Sequence, residues 1–272
     1  MKKLMYMATA LVALVSLGAS HANAEFIGFE APTYTTTGGA GGTAQIVGQD
    51  GWVLSASSPG NATGALISNS VAYAGSQSLR TSEDDNQAQT RYGRSGFTAI
   101  GGQTGASVDF YAMTPNTGVF QQQVLYYLGF STTNTNAGAV VGLYQDKIRY
   151  YNGSTATDTA ESTAANVWYH FTITFDFDSP TRNYDLTVQS VGLTSGDAGY
   201  INLSLTDVPF RNQAVSDVTA IMILSDDSDD GGSQTAVFYT DNLSFNAPVP
   251  EPGMLSLVGI GGLIMLARRS RP

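Results

Sequence analysis

Side chains able to do chemistry are few in this chain, and their spacing limits what that chemistry can be. Downstream of residue 24 there is a single histidine, His170, and cysteine is absent throughout. Thiol catalysis and thiolate metal sites are therefore excluded. A Ser-His-Asp triad would have to be assembled around His170, and no nucleophile turn lies near it. Glycosidic cleavage needs two carboxylates aimed at one bond. Asp176 and Asp178 share a strand face, but a loop starting there accounts for both. The densest acidic run, Asp226-Asp227-Ser228-Asp229-Asp230-Gly231-Gly232, spaces its oxygens like a calcium loop. Its twelfth position is Val237, where a bidentate glutamate is required, so the run reads as a solvated hairpin tip. Ser82-Glu83-Asp84-Asp85 reads the same way. No catalytic residue is expected.

Aromatic rings and planar amides are what remain, and that combination holds sugars. Tyr126, Tyr127, Tyr144, Tyr150, Tyr151 and Trp168 supply rings, with Gln121 to Gln123, Asn134 and Asn136 beside them. Half of any alternating tyrosine set packs into a core or edge. Trp168 is the one ring whose neighbours in the alternation already fill an inner face, so it is the candidate glycan contact.

The elements that must carry these residues are strands. From Val167 to Phe177, the residues Val167, Tyr169, Phe171, Ile173, Phe175 and Phe177 fall on one face. Trp168, His170, Thr172, Thr174 and Asp176 fall on the other, a period of two that marks a half-buried strand. Asp178 to Thr181 form a turn, and Tyr184, Leu186 and Val188 resume the alternation as the second arm of an antiparallel hairpin. Similar runs cover Ala106 to Met113, Val119 to Phe130, Ala139 to Tyr144, Ile148 to Tyr151, Tyr200 to Leu205, Val218 to Leu224 and Ala236 to Phe245. Asn152-Gly153 and Gly231-Gly232 punctuate them. Short strands at this spacing without helices predict an all-β fold, a two-sheet antiparallel β-sandwich of jelly-roll type.

Both ends differ from this body. Lys2 and Lys3, the apolar run Leu4 to Leu17, and Ala22-Asn23-Ala24 are the three regions of a secretory signal peptide over residues 1–24, cut after Ala24. At the other end, over 248–272, Pro250-Glu251-Pro252 precedes an uncharged stretch from Gly253 to Ala267, followed by Arg268, Arg269 and Arg271. As a single helix that stretch would reach about 22 Å at ~1.5 Å per residue, short for a hydrocarbon core of ~30 Å unless the arginines snorkel. Charge at one end only keeps the C-terminus cytoplasmic and the body outside. Residues 25–247, left between the ends, suit one domain and carry seven basic against twenty-one acidic side chains, a net of −14. Nucleic acid is not a partner for so acidic a surface.

The tail resembles the PEP-CTERM sorting signal of Gram-negative bacteria: the Pro250-Glu251-Pro252 motif, a membrane segment and a basic end in order. An ordinary anchor or an apolar last strand is the alternative. The resemblance implies transient anchoring in the inner membrane, cleavage by an exosortase-type protease after signal peptidase has acted, and an association with exopolysaccharide. In the body, Trp168 to Asp176 with the Tyr-x-Leu-x-Val that follows resembles the central hairpin of concanavalin A-like and laminin-G-like jelly rolls. Phe29-Glu30 with Gly51-Trp52, and Tyr239 to Leu243, resemble carbohydrate-binding modules. That second resemblance implies a structural Ca²⁺ held by Glu30 and Asp241. The family-16 glucanase signature, Glu-x-Asp-x-x-Glu, does not occur.

The resulting expectation is an exported, non-catalytic surface or extracellular-matrix protein. A carbohydrate-binding module with its own glycan target is the alternative, and a polysaccharide hydrolase a third. Mass spectrometry of the exported protein should find Glu25 at its N-terminus and a C-terminus near Pro250 to Pro252. A full-length chain recovered from cytosol would overturn both processing events.

Overall fold

The computed structural model describes residues 25–37, 44–55, 64–83, 90–97, 100, 105–116, 122–227 and 236–247. Residues 1–24, expected as a signal peptide, and 248–272, expected as a sorting tail, lie outside them, and so does Gly231-Gly232, expected as a turn. Apart from one 3₁₀ turn at Asn134–Asn136, the regular structure among the described residues is strand. The strands are β1 (Glu25–Ile27), β2 (Val53–Leu54), β3 (Ala65–Ser68), β4 (Ser78–Glu83), β5 (Thr90–Ser95), β6 (Ala106–Met113) and β7 (Gln122–Gly129). They continue with β8 (Ala137–Tyr144), β9 (Lys147–Asn152), β10 (Thr155–Ser162), β11 (Tyr169–Asp176), β12 (Asn183–Ser190), β13 (Asn202–Pro209), β14 (Ala220–Asp227) and β15 (Ala236–Asn246).

These strands form two antiparallel sheets. The first runs β13-β12-β11-β6-β15-β4-β3, with β1 also paired to β15; the second runs β10-β9-β8-β7-β14-β5-β2. The alternation at β11 is realised: Tyr169, Phe171, Ile173 and Phe175 are buried while the residues between them are partly exposed. β11 pairs with β12 from Tyr169↔Ser190 to Asp176↔Asn183, the hairpin expected from the alternation on either side of the turn. Asp176 Oδ1 accepts from the N–H groups of Asp178 and Ser179, which makes it the cap of that turn.

Aromatic rings join the sheets. Phe110 on β6 packs on Phe171 of β11 at 4.9 Å and on Tyr126 of the facing sheet at 4.0 Å. At one end Trp52 is fully buried beside Phe29, and its indole N–H donates to Tyr34 Oη at 3.2 Å.

Six strands were not expected, the short β1, β2 and β3 and also β4, β5 and β10, of which the last three carry no apolar alternation. β10 is an edge strand with every residue exposed or partly so. It is held by the Asn152-Gly153 turn and by a two-pronged contact from Arg149 to Asp158 at 2.6 and 2.8 Å. The acidic run also differs from expectation. β14 extends through Asp226 and Asp227, and Asp226 is 3% exposed, accepting from Gln123 Nε2 at 2.7 Å. Pairing to β7 carries the strand into what reads by charge as a solvated tip. The rest of that run, from residue 228, lies outside the described residues.

Truncating the central ring tests this core. Phe171→Ala should cost about 3–5 kcal/mol, the range for a buried aromatic. Thr187→Ala, on the outward face of the neighbouring strand, should change stability by no more than about 0.5 kcal/mol. Urea unfolding followed by circular dichroism measures both.

Candidate functional site

Inward aromatic packing on β6 and β11 dictates what stands on their outer faces. With Phe171 opposite Phe110, the next pair in register is His170 opposite Tyr111, pointing away from the core. Their rings stack at 4.4 Å, inclined by 10°. Tyr73, from the segment between β3 and β4, lies on the other side of Tyr111 at 3.7 Å and 14°. Trp168, just before β11, meets Tyr73 edge to face at 5.8 Å. Four partly exposed rings from three separate stretches of chain thus converge on the outer face of the first sheet. Trp168 was expected there. Tyr111 was readable in principle, because Val108, Phe110 and Ala112 alternate with Ser107, Asp109 and Tyr111. Tyr73 was not, since it reaches the sheet from a loop without period.

Polar groups line the row beside the rings. Asp109 accepts from Thr172 Oγ1 at 2.6 Å, from Asn246 Nδ2 at 2.9 Å and from Ser107 Oγ at 3.2 Å, with His170 Nε2 at 3.5 Å. Desolvation pushes this carboxyl upward, but His170 and the hydroxyl donors outweigh it and hold it below the usual aspartate range. Burial, aided by the neighbouring Tyr73 hydroxyl and Asp109, raises Tyr111 to about 12, so it stays a neutral donor and acceptor. On β12, Gln189 pairs with His170 and extends its amide to Asn202 at 3.4 Å. Rings beside planar amides and a carboxylate are the groups that grip a sugar ring and its hydroxyls.

The remaining sequence-predicted rings are engaged elsewhere. Tyr126 is fully buried in the core, with its hydroxyl 2.6 Å from Thr240 Oγ1. Tyr150 also packs against the core. On the outer face of the second sheet, the Arg211 guanidinium lies over Tyr127 at 5.4 Å and Tyr151 at 5.1 Å, and Arg149 lies over Tyr144 at 3.2 Å. Cations cover those rings, which leaves them less open to sugar than the first-sheet group. Gln122 is buried, Gln123 is taken by Asp226, and Asn136 donates to Ser131 and Thr133. Gln121 and the side chain of Asn134 lie outside the described residues.

Glu30 and Asp241 do come together, at the segment that carries Tyr73. Asp241 Oδ2 accepts from the N–H groups of Tyr73 and Ala74 at 2.9 and 3.1 Å, and Oδ1 from Asn242 N–H at 2.8 Å. Glu30 Oε1 accepts from Ser76 and Gln77 N–H at 2.7 and 2.8 Å, and Oε2 from Ser76 Oγ at 2.8 Å. Desolvation, with repulsion from Glu30, lifts Asp241 from 3.8 to about 6 in spite of its three N–H partners. Glu30 goes the other way: some desolvation is outweighed by the donors of Gln77 and Ser76, and its carboxyl is lowered. Calcium takes about six to eight oxygens. Here every carboxylate oxygen already faces a hydrogen, and among the described residues no group of three or more acidic, histidine or cysteine side chains could hold a metal. The pair does not fit the calcium centre that the resemblance implied.

No family model matches the chain, and no curated protein matches it. Among solved structures it is similar to a cellulose-induced protein, with a TM-score of 0.48 and 11% identity over 82% of this chain and 97% of the other. It is also similar to a carbohydrate esterase from Shiga toxin-encoding bacteriophage phi24B, with a TM-score of 0.48 and 12% identity over 79% and 96%. A sialidase matches with a TM-score of 0.47 and 16% identity, over 71% of this chain but only 17% of the sialidase. No site residue is carried over from them.

A pH profile checks the electrostatics. A carboxyl raised by folding binds its proton more tightly in the folded state, so stability is lost as pH rises through its folded value. Between about 3.8 and 6, acidification should therefore raise the melting temperature by a few degrees, at roughly 2–4 °C per kcal/mol for this size. Asp241→Asn should flatten that rise. The lowered Glu30 and Asp109 act with the opposite sign, from their ordinary values of 4.5 and 3.8 downward, so the rise should level off and then turn into a fall.

Proposed function

We propose that this is an exported, non-catalytic surface protein of jelly-roll type that binds neutral polysaccharide on the outer face of its first sheet. The observation that carries the reading is the convergence of Tyr73, Tyr111, His170 and Trp168, with Asp109, Gln189 and Asn246 beside them. Stacked rings offer apolar edges and faces to the C–H groups of a sugar, and planar polar groups orient its hydroxyls. An excess of fourteen negative charges on the body repels anionic glycans, so a neutral polymer is favoured. In this reading the chain enters the secretory route by residues 1–24 and is sorted by an exosortase-type system acting at Pro250-Glu251-Pro252. The bound polymer retains it at the cell surface or in the matrix.

Binding should be measured by pull-down on cellulose, xylan and insoluble dextran, with alginate beads as the anionic control. Trp168→Ala and Tyr111→Ala should each lower retention on the neutral polymer by about tenfold or more while leaving the melting temperature within a few degrees. Retention by both variants equal to the wild type would sink the assignment of this face.

A further inference from the structure

The segment 69–77 makes no strand of its own, yet it must hold Tyr73 against Tyr111. Backbone N–H groups left without a ladder need other acceptors. Four of them, from Tyr73, Ala74, Ser76 and Gln77, find carboxylate oxygens supplied from distant chain: Asp241 takes the first two and Glu30 the last two. Building on the glycan-binding reading above, we infer that Glu30 and Asp241 are positioning residues, a two-carboxylate clamp that fixes this segment so that Tyr73 completes the sugar-binding row.

Four details support the clamp. Asp241 sits on β15 directly opposite Tyr111 in the ladder, so the group gripping the Tyr73 backbone lies beside the ring on which Tyr73 stacks. Next to it β15 is irregular: the register with β6 shifts between Asp241 and Ser244, and Asn242 adopts a φ of 50°. Such a bulge re-aims a side chain out of strict alternation. Gly75, midway between the two pairs of donors, has a φ of 69°, and a β-carbon there would collide with the Glu30 carboxylate. Only glycine lets that carboxylate reach the N–H groups of Ser76 and Gln77 together. The far end of the segment is tied by Ser78 Oγ donating to the Val71 carbonyl at 2.5 Å. Charge-assisted bonds to backbone N–H are among the stronger hydrogen bonds, which suits a device that must order a loop.

Glu30→Ala, Glu30→Gln and Gly75→Ala separate the possibilities in the full-length protein. The chain has two tryptophans, and Trp52 is fully buried, so acrylamide quenching of tryptophan fluorescence reads the cover that Tyr73 gives Trp168. Glu30→Ala and Gly75→Ala should each raise quenching about twofold and weaken binding to the neutral polymer about tenfold. Glu30→Gln, whose amide oxygen still accepts from Ser76 and Gln77 but without the charge, should fall between wild type and Glu30→Ala on both counts. Unchanged quenching in Glu30→Ala and Gly75→Ala would overturn the clamp, and so would a Glu30→Gln as damaging as the alanine. A chelator that reproduced the Glu30→Ala result on wild-type protein would replace it with a metal site. Should wild-type protein bind no polymer at all, the glycan reading falls, while quenching still decides whether the clamp orders Tyr73.

Discussion

Phe110 lies face to face with Phe171 in the interior and touches Tyr126 of the opposite sheet. That contact sets the register of β6 against β11, because a slip by one residue would turn the whole apolar set outward. The register has a second consequence on the far side of the same sheet. With the phenylalanines paired inside, Tyr111 and His170 have to be paired outside, one residue along each strand. The stack facing solvent is thus built by the stack facing the core. A change in the interior ring pair acts on the outer one through backbone alignment, with no contact between them.

The two sheets use their outer faces differently. On the second, arginines from β9 and from the stretch between β13 and β14 lie over tyrosine rings, and Asp158 and Asp226 are tied to neighbouring side chains. On the first, the partners of the rings are other rings and neutral amides, and the carboxylate beside His170, Asp109, is held by hydroxyl, amide and imidazole donors. A sugar ring competes poorly with a guanidinium for a π face and well for an unoccupied edge. This difference, more than the number of tyrosines, selects the first sheet.

Glu30 and Asp241 are brought together by the fold and act on the same loop. The resemblance to carbohydrate-binding modules places them near one another, and they are: they meet at one loop across more than two hundred residues of sequence. What they meet are N–H hydrogens. Two carboxylates that take adjacent pairs of donors and repel each other stiffen a loop at the expense of a raised proton affinity at the more buried one. Tying the opening and closing stretches of a cysteine-free chain is accomplished here by hydrogen bonds.

Period-two alternation in Val167 to Phe177 was enough to specify β11, its buried face, its hairpin with β12, and Trp168 as an outward ring. The reason is that burial of one strand face imposes a local pattern that survives in the linear order of residues. β10 carries no such imprint, because an edge strand bathed in water on both faces is held by its turn and an ion pair. The acidic run at Asp226 misleads for a related reason: backbone pairing to β7 extends the strand regardless of charge. Tertiary structure alone decided that Tyr73 would join Tyr111, that Arg211 would cap Tyr127, and that Asp241 would bond a loop 167 and 168 residues away. Those contacts join stretches with no periodic relation to each other, so nothing in the order of residues records them until the sheets have formed.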